Sequence, residues 1–212
     1  MLIELSKKSK RKRKEDRPLR KRRLSIAFDI DGVFVDVHNV FSKIILSRYR
    51  IDTFYPQQYD VTVGNKLTTE QLWEAIREAY LLVDETPIYS GSTELVSTLH
   101  NVSGDEITFI TARPVEFENE TAEIVERFCH VPYKIIFSKG SDKINYLNDF
   151  NYFVDDRRKT ARQLAANGKK VFMPVRSYNR LCKNDSDCII EISSIRSLTR
   201  LMDIFFDEWI VP

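Results

Sequence analysis

Asp29 and Asp31 stand two residues apart where an apolar run, Leu24-Ser-Ile-Ala-Phe28, gives out, and Gly32 follows them directly. Two carboxylates held this close can grip one hard cation and still leave a carboxylate oxygen free to attack. Along an extended strand they point to the same side of the pleat, and glycine lets the chain turn sharply after them. Alone, Asp-x-Asp-Gly reads equally well as a turn or a calcium-type loop. Three further groups narrow the reading: Thr111 after the apolar Ile107–Ile110, Lys143 near an expected helix start, and the acidic pair Asp155-Asp156 after Phe153-Val154.

The elements that must position these groups alternate along the chain. Short apolar runs at Leu24–Ile30, Asp105–Ile110, Ile135–Phe137, Asn151–Val154 and Val171–Met173 have strand length and lack the polar alternation of a half-exposed sheet. Between them fall helical patterns at Gly91–His100, Glu116–Cys129, Ser141–Leu147 and Lys159–Asn167, the last stopped by Gly168. Ile195, Leu198, Met202, Phe205 and Trp209 are spaced for a closing helix. Strand–helix alternation implies right-handed crossovers and a parallel, Rossmann-like sheet covered on both faces, an α/β three-layer α/β/α sandwich. The stretch 33–88 breaks this rhythm. Val40, Phe41, Ile44 and Ile45, then a Thr68-x-x-Gln71 capping box before Leu72, Trp73, Ile76 and Tyr80, predict an inserted helical cap around a loop at Tyr55–Asp60. The expected organisation is a tail over 1–23, a core over 24–32 and 89–212, and a cap over 33–88. A cap inserted there lies over the strand ends, where open α/β sheets bind ligands. Its aromatics, Phe34, Phe41, Tyr49, Phe54, Tyr55, Tyr59, Trp73 and Tyr80, are expected mostly to pack, with some free to stack on a base.

Composition fits one globular domain with an insertion: 212 residues, 42% of them hydrophobic. No apolar stretch approaches the ~20 residues of a membrane span. The small net charge hides an uneven distribution, because residues 7–23 hold twelve Lys or Arg against Glu15 and Asp16. So basic a segment, nearly without apolar residues, is expected to be disordered; it is suited to contact nucleic acid, to act as a nuclear import signal in a eukaryotic host, or simply to aid solubility. Cys129, Cys182 and Cys188 are odd in number and lack metal-ligand spacing, which points to a reduced, cytoplasmic setting. His38, His100 and His130 are scattered, and no step of the chemistry needs one.

Strand-end Asp-Ile-Asp-Gly-Val, then Ile-Thr-Ala-Arg-Pro, then Lys143, then Phe-Val-Asp-Asp-Arg-Arg, in that order, resembles the haloacid dehalogenase-like (HAD) phosphohydrolases over residues 24 to about 175, and within them the 5'(3')-deoxyribonucleotidase branch. The resemblance implies that Asp29 is the nucleophile, forming an aspartyl-phosphate, and that Asp31 is the general acid and base. It implies a Mg²⁺ held by Asp29, the Asp31 carbonyl and Asp156, with Asp155 supporting from behind. Thr111 and nearby backbone N–H groups would hold phosphate oxygens, while Lys143 offsets their charge, with Lys139 its rival. Where that family often has a second hydroxyl residue, this chain has Ala112, which leaves a backbone contact there. Arg113, Arg157 and Arg158 read as surface ion-pairing residues, with contact to substrate as the alternative role. The implied activity is hydrolysis of nucleoside or deoxynucleoside monophosphates. An alternative is a polynucleotide-end phosphatase guided by residues 7–23, and a third reading is an inert fold serving as a nucleic-acid-binding scaffold.

Overall fold

The computed structural model describes residues 25–53, 67–139, 142–179 and 185–201. The basic segment 7–23, Phe54, Tyr55, Tyr59, Ser141, Cys182, Met202, Phe205 and Trp209 lie outside the described residues.

Six strands are described: β1 Ile26–Phe28, β2 Ile107–Thr111, β3 Tyr133–Phe137, β4 Tyr152–Val154, β5 Lys170–Pro174 and β6 Ile189–Ile192. They form one parallel sheet in the order β3-β2-β1-β4-β5-β6. The helices are α1 Val37–Tyr49, α2 Thr69–Leu81, α3 Ser92–Ser103, α4 Glu118–Glu126 and α5 Arg158–Ala166, and residues 195–201 are also helical.

Strand alternation sorts the apolar side chains into two layers. Ile26 and Phe28 of β1, Ile107 and Phe109 of β2, Val154 of β4 and Phe172 of β5 face a core completed by Leu95, Val96 and Leu99 of α3 and Ile124 and Val125 of α4. Ala27, Ile110, Phe153, Val171 and Met173 face the opposite side, where Ala161, Leu164 and Ala165 of α5 cover them. Helices on both faces of an all-parallel sheet make this the expected three-layer sandwich. The first layer centres on aromatic rings: Phe34 stacks on Phe128 at 4.9 Å and meets Phe28 and Phe109 edge-on at 5.3 and 5.5 Å. Val33, Phe34 and Val35 therefore pack into the core, although they fall in the range assigned to the cap.

Helices α1 and α2 bury each other instead. Val40, Phe41, Ile44 and Ile45 of α1 pack with Leu67, Ala75 and Ala79 in an apolar cluster of their own. Both helices start as their sequences dictate: Asp36 accepts from the Asn39 N–H, and Thr68 and Gln71 cap each other reciprocally.

Some elements differ from expectation. Lys143 sits in a short 3-10 turn, Asp142–Tyr146, where a helix over Ser141–Leu147 was expected. The helix expected over Glu116–Cys129 is divided into a 3-10 turn at Val115–Phe117, entered from the extended Pro114, and α4. Strand β6 was not foreseen. Its four residues include Glu191, and a short strand on the sheet edge needs only Ile189 and Ile192 to be buried.

Candidate active site

In this strand order the chain leaves β1 for one side of the sheet and later returns to pair β4 on the other. The crevice at the C-terminal ends of β1 and β4 is a topological switch point, where neighbouring loops diverge and leave room for a ligand. Asp29 follows β1 and Asp155 follows β4, and the Asp29 N–H bonds the Val154 carbonyl at 2.8 Å, so the register itself sets the two acids side by side.

Asp29, Asp155 and Asp156 each offer an oxygen within 4.8 Å of the others. Lys143 lies between two of them, its Nζ 2.7 Å from Asp29 Oδ2 and 2.6 Å from Asp155 Oδ2. Asp155 also accepts from the Arg157 N–H at 2.8 Å, which fixes its second oxygen. Asp156 accepts from the Tyr178 hydroxyl, and its backbone carbonyl accepts from Asn179 Nδ2 at 2.7 Å. The two acids of this pair thus differ: Asp155 is tied to the ammonium, and Asp156 is steered from the loop after β5.

Such crowding has an electrostatic cost. Burial first, with Asp155 adding to it against the pull of Lys143, pushes the Asp29 carboxyl up to about 7. Burial first, then Asp29 and Asp155, pushes Asp156 up to about 8. Burial pulls the Lys143 ammonium down, but Asp155 and Asp29 outweigh it and hold it above its ordinary value. One buried ammonium does not fully offset three buried carboxylates, and a small hard cation with oxygen ligands fits what remains. Asp29, Asp155 and Asp156 are the residues that could together hold a metal ion.

Gly32 makes this cluster sterically feasible. Its φ is +73°, and a Cβ built there would lie 2.0 Å from Asp156 Oδ2, so any side chain would have to displace the Asp156 carboxyl. The Gly32 carbonyl accepts from Arg176 Nε at 3.0 Å and Nη2 at 2.6 Å, while the same guanidinium lies 4.0 Å from the centre of the Tyr89 ring. From the sequence, 176–187 reads as a polar loop in which Ser177-Tyr178-Asn179-Arg180 resembles a segment found after this strand in the nucleotidase branch, and so short a match assigned Arg176, Tyr178 and Asn179 no role.

Thr111 ends β2 beside β1 and is fully buried. Its Oγ1 accepts from the Arg113 N–H at 3.1 Å, and its carbonyl accepts from the Ser138 N–H at 2.8 Å. Ala112, next to it, is exposed at the strand end. Lys139 is exposed, whereas Lys143 is buried against the acids.

Arg113 corrects the sequence reading. It was expected on the surface, yet it is only 2% exposed and holds Asp31 through two bonds, Nε to Oδ2 at 2.9 Å and Nη2 to Oδ1 at 2.7 Å. Asp31 does not join the other carboxylates; its partner is this guanidinium, and 22% of its side chain stays open to the crevice. The available signal was position: Arg113 follows a buried strand-end threonine and is anchored to it through the backbone. His38 is structural, with Nε2 2.7 Å from the Thr53 carbonyl, and His100 Nδ1 lies 2.8 Å from the Asp105 carbonyl. Among the described residues Cys129 and Cys188 are free thiols, and no helix is long and apolar enough to cross a membrane.

A strand order reversing at β1, an inserted pair of helices and strand-end carboxylates define a fold class. The fold is that of the haloacid dehalogenase-like hydrolases. A haloacid dehalogenase-like hydrolase from Streptococcus pneumoniae superposes with a TM-score of 0.56 at 14% identity, covering 85% of this chain and 98% of its own. L-2-haloacid dehalogenase from Xanthobacter autotrophicus gives 0.56 at 11% identity, covering 86% and 99%. Among curated proteins, one from Oceanobacillus iheyensis named "Putative nucleotidase" is 25% identical over 173 residues, covering 74% of this chain and 89% of its own. No family model matches the sequence.

Proposed function

We propose that this chain is a Mg²⁺-dependent phosphomonoesterase that acts through an aspartyl-phosphate on Asp29, and that its substrates are nucleoside or deoxynucleoside monophosphates. The observation that carries the reading is the convergence of Asp29, Asp155, Asp156 and Lys143 on one spot at the switch point. Asp29 Oδ attacks phosphorus while Lys143 offsets the charge of nucleophile and phosphoryl group together. Mg²⁺, when bound, supplies charge neutralisation between nucleophile and phosphate. Asp31 hands a proton to the departing ester oxygen and takes one from the attacking water. Thr111 and Ala112 stand at the adjoining strand end, where they suit phosphate oxygens.

Several proteins of this fold are dehalogenases, so the chemistry of the leaving group matters. A halide departs without a proton and needs no general acid, whereas an alkoxide needs one. A second carboxyl group two residues beyond the nucleophile, with 22% of its side chain exposed, favours the phosphate ester. The nucleotide specificity is supported by the name of the Oceanobacillus iheyensis relative and by a helical pair suited to enclose a small substrate. The twelve Lys and Arg of residues 7–23 favour a second reading, a phosphatase for polynucleotide ends.

The test is phosphate release with Mg²⁺ from a panel of nucleoside and deoxynucleoside monophosphates, a 3'-phosphorylated oligonucleotide and an aryl phosphate, alongside halide release from 2-chloropropionate. Monophosphate turnover above that of the aryl ester, abolished by Asp29→Asn in a folded protein, is expected. Halide release without phosphate release would sink the proposal, and faster turnover of the oligonucleotide would favour the second reading.

A further inference from the structure

Of the three clustered acids, Asp156 is the one with an oxygen to spare. Asp29 accepts from the Ile30 N–H and from Lys143, and Asp155 accepts from Lys143 and the Arg157 N–H, so both oxygens of each are engaged. Asp156 is buried, with Oδ2 taking the Tyr178 hydroxyl and Oδ1 taking no hydrogen bond among the described residues. It also has no ammonium of its own, so repulsion from Asp29 and Asp155 would turn it away unless something held it. Three residues of the loop after β5 do so. Asn179 is 1% exposed; its Nδ2 donates to the Asp156 and Pro174 carbonyls, both at 2.7 Å, and its Oδ1 accepts from the Arg176 N–H at 2.7 Å. This ties the backbone after β4 to the backbone after β5. Arg176 grips the Gly32 carbonyl with two donors, and Gly32 is the surface against which Asp156 Oδ2 rests. Tyr178 completes the set, its ring beside that of His38 on α1 with centroids 6.1 Å apart. Backbone, wall and one carboxylate oxygen are each fixed by a different side chain of a single four-residue stretch.

We propose that Tyr178 is a positioning residue for the metal ion: by holding Asp156 Oδ2 against Gly32 it leaves Oδ1 as the oxygen offered to the cation, with Asn179 and Arg176 fixing the backbone and the wall it works against. The inference rests on the metal-dependent reading above and adds residues that act on the site only through Asp156. Hydrogen-bond partners behind a ligand set its orientation and so the affinity of the site. The consequence is a split between affinity and chemistry. Without the hydroxyl, Asp156 swings away from its two neighbours, and binding a cation must first bring it back. Once a cation is bound the carboxylate is held in place, and attack by Asp29 is unaffected.

The test titrates Mg²⁺ into the chelator-treated full chain by isothermal calorimetry, for wild type, Tyr178→Phe and Tyr133→Phe, and follows phosphate release from p-nitrophenyl phosphate over the same Mg²⁺ range. Tyr133→Phe is the control, because it removes another hydroxyl-to-carboxylate bond, to Glu126, at the N-terminal end of β3 and so at the opposite edge of the sheet from the crevice. Tyr178→Phe is expected to bind Mg²⁺ ~10-fold more weakly, the lower end of what losing a partner behind a metal ligand costs, and to regain wild-type turnover at saturating Mg²⁺. Unchanged affinity in Tyr178→Phe, equal weakening in Tyr133→Phe, or a turnover loss that saturating Mg²⁺ does not lessen would overturn the inference alone. Should Tyr178→Phe not fold, unchanged Mg²⁺ affinity in Arg176→Gln would overturn it equally well. A wild type that binds Mg²⁺ but releases no phosphate would overturn the phosphomonoesterase reading, with the calorimetry still deciding this inference, and a wild type that binds no Mg²⁺ would overturn both.

Discussion

Replacing Gly32 with alanine tests the geometry of the acidic cluster most directly, because two separable costs fall on one methyl group. The first is backbone: at φ +73°, a residue with a Cβ costs about 1–2 kcal/mol. The second is steric. The new carbon would sit 2.0 Å from Asp156 Oδ2 and 2.4 Å from its Cγ, so the carboxyl must retreat by more than ~1 Å to reach ordinary contact distance. Asp156 has little freedom to do so, held by Tyr178 at the carboxyl and by Asn179 at the carbonyl. Overpacking of this kind adds about 1–3 kcal/mol. Together they predict a loss of about 2–5 kcal/mol, which for a chain of this length lowers Tm by roughly 5–15 °C. Gly168→Ala is the control, since φ there is +76° but nothing lies within 4 Å of the added carbon. It should show the backbone cost alone and keep its activity. Thermal melts with and without Mg²⁺ separate the two costs: wild type and Gly168→Ala should be stabilised by the metal, and Gly32→Ala should respond weakly. The reasoning is refuted if Gly32→Ala melts with Gly168→Ala and gains as much from Mg²⁺.

Other expectations follow from the same contacts. Lys143→Met removes the only ammonium touching Asp29 and Asp155 among the described residues, and breaking a buried ion pair on one side should cost about 3–5 kcal/mol as well as turnover, read by denaturant melts and phosphate release. The metal-free protein should lose stability as pH rises. Asp29 and Asp156 have folded values of about 7 and about 8, raised above 3.8, so their contribution is complete below about pH 4 and is lost as pH climbs through 7 and 8. Melts from pH 5 to 8.5 should fall without Mg²⁺ and flatten with it, and a metal-free curve that rises instead would contradict the burial of this cluster. Phe34→Ala opens the aromatic centre formed with Phe28, Phe109 and Phe128 and should cost about 3–5 kcal/mol, measured as a shift in urea midpoint at unchanged slope.

Residue type and order alone made much of this protein legible. Apolar runs too uniform for a half-exposed sheet, alternating with helical patterns, specify a parallel sheet covered on both faces, because that arrangement buries such strands. Asp29, Asp155 and Asp156, expected at strand ends, and Lys143 come together in the structure, since strand ends at a switch point share one crevice. The four-residue edge strand Ile189–Ile192 stayed hidden because a pattern so short carries almost no periodic signal. Arg113 stayed hidden for a different reason. One-dimensional sequence assigns a charged residue to solvent by default, and only the register of β2 beside β1 brings it to Asp31 across 82 positions of chain. The same holds for the division of labour between Asp155 and Asp156, adjacent in sequence and chemically identical. Their difference arises from which neighbours the fold delivers, Lys143 to one and the hydroxyl of Tyr178 to the other. Local chemistry is written in the sequence, but the partner that tunes each charge comes from distant chain, and only the packed fold decides it.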